Sequence, residues 1–332
     1  MNGILQIPDI TTPYYYFAVG LFLLLFEIAY VKLARHYDIN DRPGQRSSHR
    51  HIIPTGGGVI IYLSVLIFIS WHTYMASVPW WTLLGSCTVL AIISFIDDVD
   101  PLTPESRLLI QIVVISFAFR GLIHEETFNV FIIILLLGIG LVNAYNFMDG
   151  INGMLVAYSI VFLGTMLYYI VSIHPYATSS YSPRMFEGLI ISLLIASIVL
   201  AFFNFRRNAL VFSGDVGSIS MGYCVMYIMA STIVYTADAS IIVFLIVYAV
   251  DTVYTILQRL FEGERITLPH RKHLYQILVH RRGYSHLAVS SGYAATQMAI
   301  NVTYFLIPSQ LHWTYVITVL TLLTFAYFIM KH

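Results

Sequence analysis

The sequence predicts an all-α, polytopic membrane protein with about eleven transmembrane helices, its N-terminus outside and its C-terminus cytoplasmic. Three observations lead there. Of 332 residues, 58% are hydrophobic and only 10% are charged, with a mean hydropathy of +0.78. Soluble domains carry roughly 25% charged residues, so this chain has too little polar surface to wrap an aqueous globule. Apolar runs that approach the roughly 20 residues needed to cross a hydrocarbon core recur along the whole sequence. The basic residues, finally, fall on alternate connections between those runs.

Taken in order, residues 1–13 hold no Lys or Arg, and Asp9 is the only charge before the first apolar run. That run, 14–33, therefore reads as a span and not as a secretory signal. Further spans fall at 59–71, 80–96, 107–121, 130–143 and 151–173, then at 186–203, 216–235, 240–258, 287–307 and 313–330. Several are shorter than 20 residues and must borrow flanking turns or pack inside protein, where polar ends are tolerated. Thr103, Pro104 and Glu105 read as cap, first-turn proline and first-turn acid of the fourth span's helix. The long basic loop 259–286 holds six Lys or Arg and four His, and Leu274, Ile277 and Leu278 at helical spacing suggest an interfacial helix within it.

With the first terminus outside, the cytoplasmic connections collect Lys32, Arg35, Arg42, Arg46, Arg50, Arg107, Arg206, Arg207, Arg259, Arg265, Arg271, Lys272, Arg281, Arg282 and Lys331, which is 15 of the 17 basic residues. Only Arg120 and Arg184 remain for the other side, the asymmetry of the positive-inside rule. The same side gathers Asp38, Asp41, Asp97, Asp98, Asp100, Glu105, Asp149, Asp215, Glu262 and Glu264. Topology markers need no acids beside them, so the chemistry is expected on the cytoplasmic face. Zero formal net charge gives no global field toward nucleic acid. Cys87 and Cys224, both in apolar runs, exclude a disulfide framework.

Several constellations stand out in so apolar a chain. Asp97 and Asp98 end the third span; two adjacent carboxylates raise each other's pKa unless a basic partner or divalent metal neutralises them, and their oxygens suit hard Mg²⁺ or Mn²⁺. A solvated loop is the plain alternative. The DDxxD pattern fails because Pro101 holds its fifth position. Arg107 and Gln111 share one helix face, with Arg107 looking back toward the acids or simply snorkelling. Asn143, Asn146 and Asp149 recur at intervals of three and lead into Gly150, Asn152 and Gly153, a stripe too costly to face lipid. Interhelical hydrogen bonding by the asparagines would also explain it. Ser213-Gly214-Asp215-Val216-Gly217-Ser218 sets a carboxylate and glycines at a helix start, where free N–H groups favour phosphate; no Lys follows, so it is not a Walker loop. Asp251 lies deep in the ninth span, and an intramembrane carboxylate is a functional hypothesis by default. Glu27 in the first span can stand near that helix's cytoplasmic end or bond a neighbour. His270 and His273 lack nearby Cys, so zinc is not favoured.

Together these segments resemble one family. They are Asp41-Arg42-Pro43-Gly44-Gln45-Arg46-Ser47-Ser48-His49, Asp97-Asp98 with Arg107 and Gln111, Asn143 through Gly153, Phe212 through Ser218, Asp251-Thr252 with Arg259, and His270-Arg271-Lys272-His273. Their order is similar to that of the polyprenyl-phosphate N-acetylhexosamine-1-phosphate transferases, relatives of phospho-MurNAc-pentapeptide transferase, from about residue 35 to 286. An eleven-span topology resembles the O-antigen or common-antigen initiating branch more than the ten-span peptidoglycan branch.

The resemblance implies one integral membrane catalytic domain over residues 1–332 in the bacterial inner membrane. It implies transfer of a sugar 1-phosphate from a UDP-N-acetylhexosamine to undecaprenyl phosphate, with release of UMP and with Mg²⁺ (or Mn²⁺) on the cytoplasmic face, initiating a lipid-linked glycan such as the O-antigen of lipopolysaccharide. Its partners would be those two substrates and membrane lipids, with no nucleic acid; a homodimer is compatible with the likeness. It implies catalytic roles for Asp97, Asp98, Asp215 and His273, with metal on Asp215 and Asp98. Substrate binding would fall to Arg46, Ser48, Arg107, Asn143, Asn146, Asp149, Phe212, Asp251, His270 and Arg271. Two departures matter: Asn152 stands where the family usually carries Asp, and Tyr275 and Gln276 replace further histidines. This thinned pattern is similar to the subgroup that uses deoxy-N-acetylhexosamines, so UDP-N-acetylfucosamine or UDP-N-acetylquinovosamine competes with UDP-GlcNAc. The alternative from another class is a transporter of nucleotide sugar or lipid-linked sugar, which would need a polar path reaching both faces.

Overall fold

The computed structural model describes residues 13–41, 52–71, 78–120, 128–173, 186–265 and 270–331. Its architecture is all-α. The helices are α1 Pro13–His36, α2 Val59–Trp71, α3 Val78–Val99, α4 Pro104–Arg120, α5 Phe128–Met148 and α6 Met154–Tyr168, the last prolonged by a π turn at Tyr169–Ile173. There follow α7 Glu187–Asn204, α8 Gly214–Thr236, α9 Ile246–Phe261, α10 Leu274–His280, α11 His286–Leu306 and α12 His312–Lys331. A two-residue ladder pairs β1 Asn40–Asp41 with β2 Ile53–Pro54, antiparallel, in the register Asn40 to Pro54 and Asp41 to Ile53.

The expected spans fall on helices, the ninth on a 3₁₀ segment followed by α9, and the helix expected around Leu274, Ile277 and Leu278 is α10. Among the described residues, eight helical segments are long and apolar enough to cross a membrane. The helix α2 is apolar but only 13 residues long, and α4, with 17, is also short. Burial sorts the helices by what surrounds them. α8 packs against α2, α3 and α5, and 89% of its span is buried. It is also the least hydropathic of the eight and carries Ser218, Ser220, Ser231 and Thr232 inside the bundle, because its solvent is protein and not lipid. α1 and α12, only 28% and 17% buried, present Leu, Phe and Ile outward instead.

Local signals account for the boundaries near the charged residues. The Thr103 hydroxyl accepts the Ser106 N–H at 3.3 Å, capping α4 as its Thr-Pro-Glu start predicts. The ninth span is not one continuous helix: a 3₁₀ segment, Ala239–Leu245, precedes α9. Such a break frees backbone groups that hydrocarbon cannot satisfy, and α11 and α6 supply the partners. Gln297 Oε1 accepts the Val247 N–H at 3.1 Å while its Nε2 donates to the Val243 carbonyl at 2.9 Å. The Tyr158 hydroxyl accepts the Tyr248 N–H at 3.3 Å and donates to Gln297 Oε1 at 2.5 Å. The Tyr158 and Tyr248 rings stack at 3.5 Å, and Asn301 extends the network from Gln297 to Thr165.

Candidate active site

At one end of the bundle the C-terminal tips of α3 and α5 meet the N-terminal tips of α4 and α8. Arg107, in the first turns of α4, donates from one guanidinium nitrogen to Asp97 Oδ2 at 2.6 Å and to Asp215 Oδ2 at 2.9 Å. The other Asp97 oxygen accepts the Leu102 N–H at 2.6 Å, and Asp215 Oδ1 accepts Asn146 Nδ2 at 2.8 Å. Four elements thus hold one another through two carboxylates, a guanidinium and a carboxamide. One arginine serves Asp97 and Asp215 with Asp98 beside them, so a further cation would favour the ionised form of all three.

Asp98 is used differently from its neighbour. Its two oxygens accept the Asp215 N–H at 2.8 Å and the Val216 N–H at 3.1 Å, so α3 caps the start of α8 with a carboxylate in place of the usual Ser213 side-chain cap. The approach needs Gly214, whose φ is +69° and where a Cβ would lie 2.5 Å from Asp98 Oδ2. A second close approach comes from the segment before α2: Gly57 and Gly58 donate to the carbonyls of Phe212 and Ser213, each at 2.9 Å. A Cβ on Gly58 would meet the Gly217 backbone at 2.2 Å. The Ser213 hydroxyl donates to Asp149. Burial pushes the Asp149 carboxyl well above the usual carboxylate range, Asp215 and Asp98 adding to the effect and the Ser213 hydrogen bond opposing it.

Beside this cluster lies a cavity of about 560 Å³. Arg107, Asn143, Asn146 and Asp215 line one part; His270, His273 and Gln276 line another, and Leu90, Ile93, Leu108, Ile139, Ile219 and Ile256 supply apolar wall. His273 is buried, with Nδ1 3.3 Å from Asp251 Oδ1. His270 is half-buried with its ring 5.0 Å from that of His273. Desolvation first, then His273 and Arg259, bring its pKa down to about 4, so it is neutral at physiological pH.

Of the side chains expected at the site, Arg107, Asn143, Asn146, Asp215, His270 and His273 line the cavity. Asp97, Asp98 and Asp149 stand directly behind it through the contacts just described. Asp251 does not line it. Only 1% exposed, its carboxylate accepts the Leu274 and Tyr275 N–H groups at 2.8 and 3.2 Å and the Tyr293 hydroxyl at 2.7 Å. It moors α10, and with it His273, to α9 and α11. Phe212 and Arg271 also lie off the cavity wall, and Arg46 and Ser48 fall outside the described residues. Asn152 Nδ2 donates to the Arg206 and Arg207 carbonyls at 2.8 and 3.2 Å, holding the turn after α7. An aspartate there would face two carbonyl oxygens with nothing to donate.

Sequence reasoning passed over the Gly56-Gly57-Gly58 triplet and Asn204, took Gln276 only as a departure from the histidine pattern, and left Gln111 without a role. The triplet was a visible signal; Asn204, whose Oδ1 accepts the Gly153 N–H at 2.7 Å and whose Nδ2 donates to the Val211 carbonyl at 3.0 Å, was not.

Among the described residues, no group of three or more His, Cys, Asp or Glu side chains is arranged to hold a metal ion alone. The oxygen donors present suit Mg²⁺, which usually takes one or two protein carboxylates and completes its shell with water and substrate phosphate.

Residues 80–234 match the family model described as glycosyl transferase family 4. The chain is 24% identical over 283 residues to a probable undecaprenyl-phosphate N-acetylglucosaminyl 1-phosphate transferase of Bacillus subtilis, covering 79% of this chain and 76% of that protein. It is 25% identical over 308 residues to the undecaprenyl-phosphate alpha-N-acetylglucosaminyl 1-phosphate transferase of Escherichia coli K12, covering 86% and 78%. Against the phospho-N-acetylmuramoyl-pentapeptide-transferase of Lactobacillus acidophilus it is 28% identical over 200 residues, 51% of this chain and 58% of that one.

Proposed function

We propose that this chain, whose residues 80–234 match the glycosyl transferase family 4 model, transfers an N-acetylhexosamine 1-phosphate from a UDP-sugar to undecaprenyl phosphate at the cytoplasmic face of a bacterial inner membrane, initiating a lipid-linked glycan such as O-antigen. An oxygen of the lipid phosphate attacks the phosphorus that carries the sugar. The bond from that phosphorus to the bridging oxygen breaks, and UMP leaves with the bridging oxygen. The observation that carries this reading is the Asp97–Arg107–Asp215–Asn146 cluster at the edge of a cavity with apolar walls. One reactant is a lipid and the other a nucleotide, and both are anions.

Phosphoryl transfer asks for in-line placement and charge neutralisation more than for covalent help. Arg107 is the cation in place, and Asn146 and Asp98 hold the Asp215 carboxylate and backbone at the start of α8. The residues that would hold Mg²⁺ are Asp215 and one of the two carboxylates at the end of α3, Asp97 or Asp98, each of which already accepts hydrogen bonds from the protein. When bound, the ion would neutralise diphosphate charge. His273, held by Asp251, and the neutral His270 face the same cavity as donors for phosphate oxygens. A lipid monophosphate is largely ionised at neutral pH, so no carboxylate here needs to act as general base.

The test uses purified protein with undecaprenyl phosphate, Mg²⁺ and a panel of UDP-N-acetylhexosamines including the GlcNAc, FucNAc and QuiNAc types. The expected result is UMP release matched by an undecaprenyl-diphosphate-sugar identified by mass. Movement of intact nucleotide sugar across a vesicle membrane with no lipid product would overturn the reading in favour of transport.

A further inference from the structure

Gln111 and Asn143 lie about one helical turn deeper than Arg107 and Asn146, roughly 6 and 4.5 Å along their respective helices, and both line the cavity. Asn143 Nδ2 donates to the Ile139 carbonyl at 2.8 Å and to Gln111 Oε1 at 2.6 Å. These bonds settle the orientation of both amides. A backbone carbonyl can only accept, so the Asn143 nitrogen must face Ile139, and its remaining hydrogen then requires the Gln111 oxygen. Both Asn143 donors are spent. Among the described residues nothing pairs with Asn143 Oδ1 or with Gln111 Nε2. The pair therefore offers the cavity one acceptor and one donor, on separate side chains, beside the apolar walls of Ile93, Ile139 and Ile219.

That inventory selects a ligand. A prenyl chain would strand both polar groups without a partner in a dry site. A phosphate has acceptors only and would be repelled by Asn143 Oδ1. A hydroxyl gives and takes from a single oxygen, whereas a secondary amide spreads its N–H and C=O over two atoms and adds a methyl group for the apolar wall. The geometry points to Gln111 and Asn143 as the residues that read the acetamido group of the sugar, Gln111 donating to its carbonyl and Asn143 accepting its N–H. This assignment rests on the sugar-1-phosphate transferase reading. It names the part of the substrate shared by all three candidate sugars, and it gives Gln111 a specificity role.

The experiment measures kcat/KM of purified protein for the UDP-N-acetylhexosamine it accepts and for the matching UDP-hexose with a hydroxyl at C2, using UMP release with undecaprenyl phosphate. Gln111→Glu keeps the oxygen that Asn143 needs and replaces the free donor by an acceptor; Gln111→Leu removes both groups. The ratio of the two kcat/KM values is taken within each variant, so loss of folded protein scales both and leaves it unchanged. The wild type is expected to favour the acetamido sugar, and both variants to lower that ratio about tenfold or more, with the KM for undecaprenyl phosphate unmoved. An unchanged ratio, or a raised KM for undecaprenyl phosphate in its place, would overturn the assignment while leaving the reaction intact. A wild type that releases no UMP from any UDP-sugar would remove the reaction itself, and the assignment with it.

Discussion

Gly214 shows how little room single residues have where helix tips meet. Its positive φ lets the α8 backbone come up against Asp98, and a methyl group there would stand 2.5 Å from the carboxylate and 2.7 Å from the Gly56 nitrogen. Gly214→Ala is expected to cost about 1–3 kcal/mol, seen as a lower thermal midpoint of the detergent-extracted protein; an unchanged midpoint would mean that Asp98 does not cap α8. Asn152 makes the complementary case, since its role depends on a donor. Asn152→Asp should destabilise by about 1–3 kcal/mol through loss of the bonds to the Arg206 and Arg207 carbonyls, and equal stability of the two proteins would contradict that role. His270 carries a pH signature. Its pKa falls from 6.5 to about 4 on folding, so the folded state favours the neutral ring. The stability it contributes is full above pH 6.5 and is lost as pH falls through that interval toward 4. Melting curves between pH 7 and 4 should decline more steeply for the wild type than for His270→Gln; parallel curves would show that the ring is not desolvated.

Whole elements are held in place by buried polar groups that a hydropathy pattern does not weigh. Gln297 bonds backbone groups on both sides of the 3₁₀-to-α9 junction, so it sets the course of α9 and the position of Ile256 and Asp251 along it. Gln297→Leu is expected to cost about 1–3 kcal/mol and to raise hydrogen exchange at Val247 and Tyr248; native protection there would show that the junction needs no such clamp. Helix existence was legible because apolar runs of that length have few alternatives. The break before α9 was not, since its sequence is as apolar as a continuous helix and the residue that stabilises the break lies fifty positions later. Asp251 was legible as unusual but not as structural. An intramembrane carboxylate signals function until its donors are seen, and here these are two N–H groups and a hydroxyl that fix α10.

Across the whole molecule, four of the polar residues that sequence reasoning brought together meet directly. Asp97, Arg107, Asn146 and Asp215 come from four helices and up to 118 positions apart, yet they share direct hydrogen bonds. They were legible because an ionised or amide side chain at the end of an apolar run is expensive unless it has a partner. Gln111 and the glycine triplet carry no charge, and their importance comes from close contacts that only the packed bundle creates. The finer division of labour was also beyond the sequence: adjacent Asp97 and Asp98 look equivalent in one dimension, but one faces Arg107 and the other caps a helix.

The most direct measurement is UMP release at saturating Mg²⁺ by the wild type, Asp97→Asn, Asp215→Asn and the double variant, each confirmed as folded by extraction and chromatography. If the two carboxylates work as one unit, each single change should cost about 10²-fold or more and the double change little beyond the larger single loss. Losses that multiply, or wild-type turnover in Asp215→Asn, would contradict a single shared site.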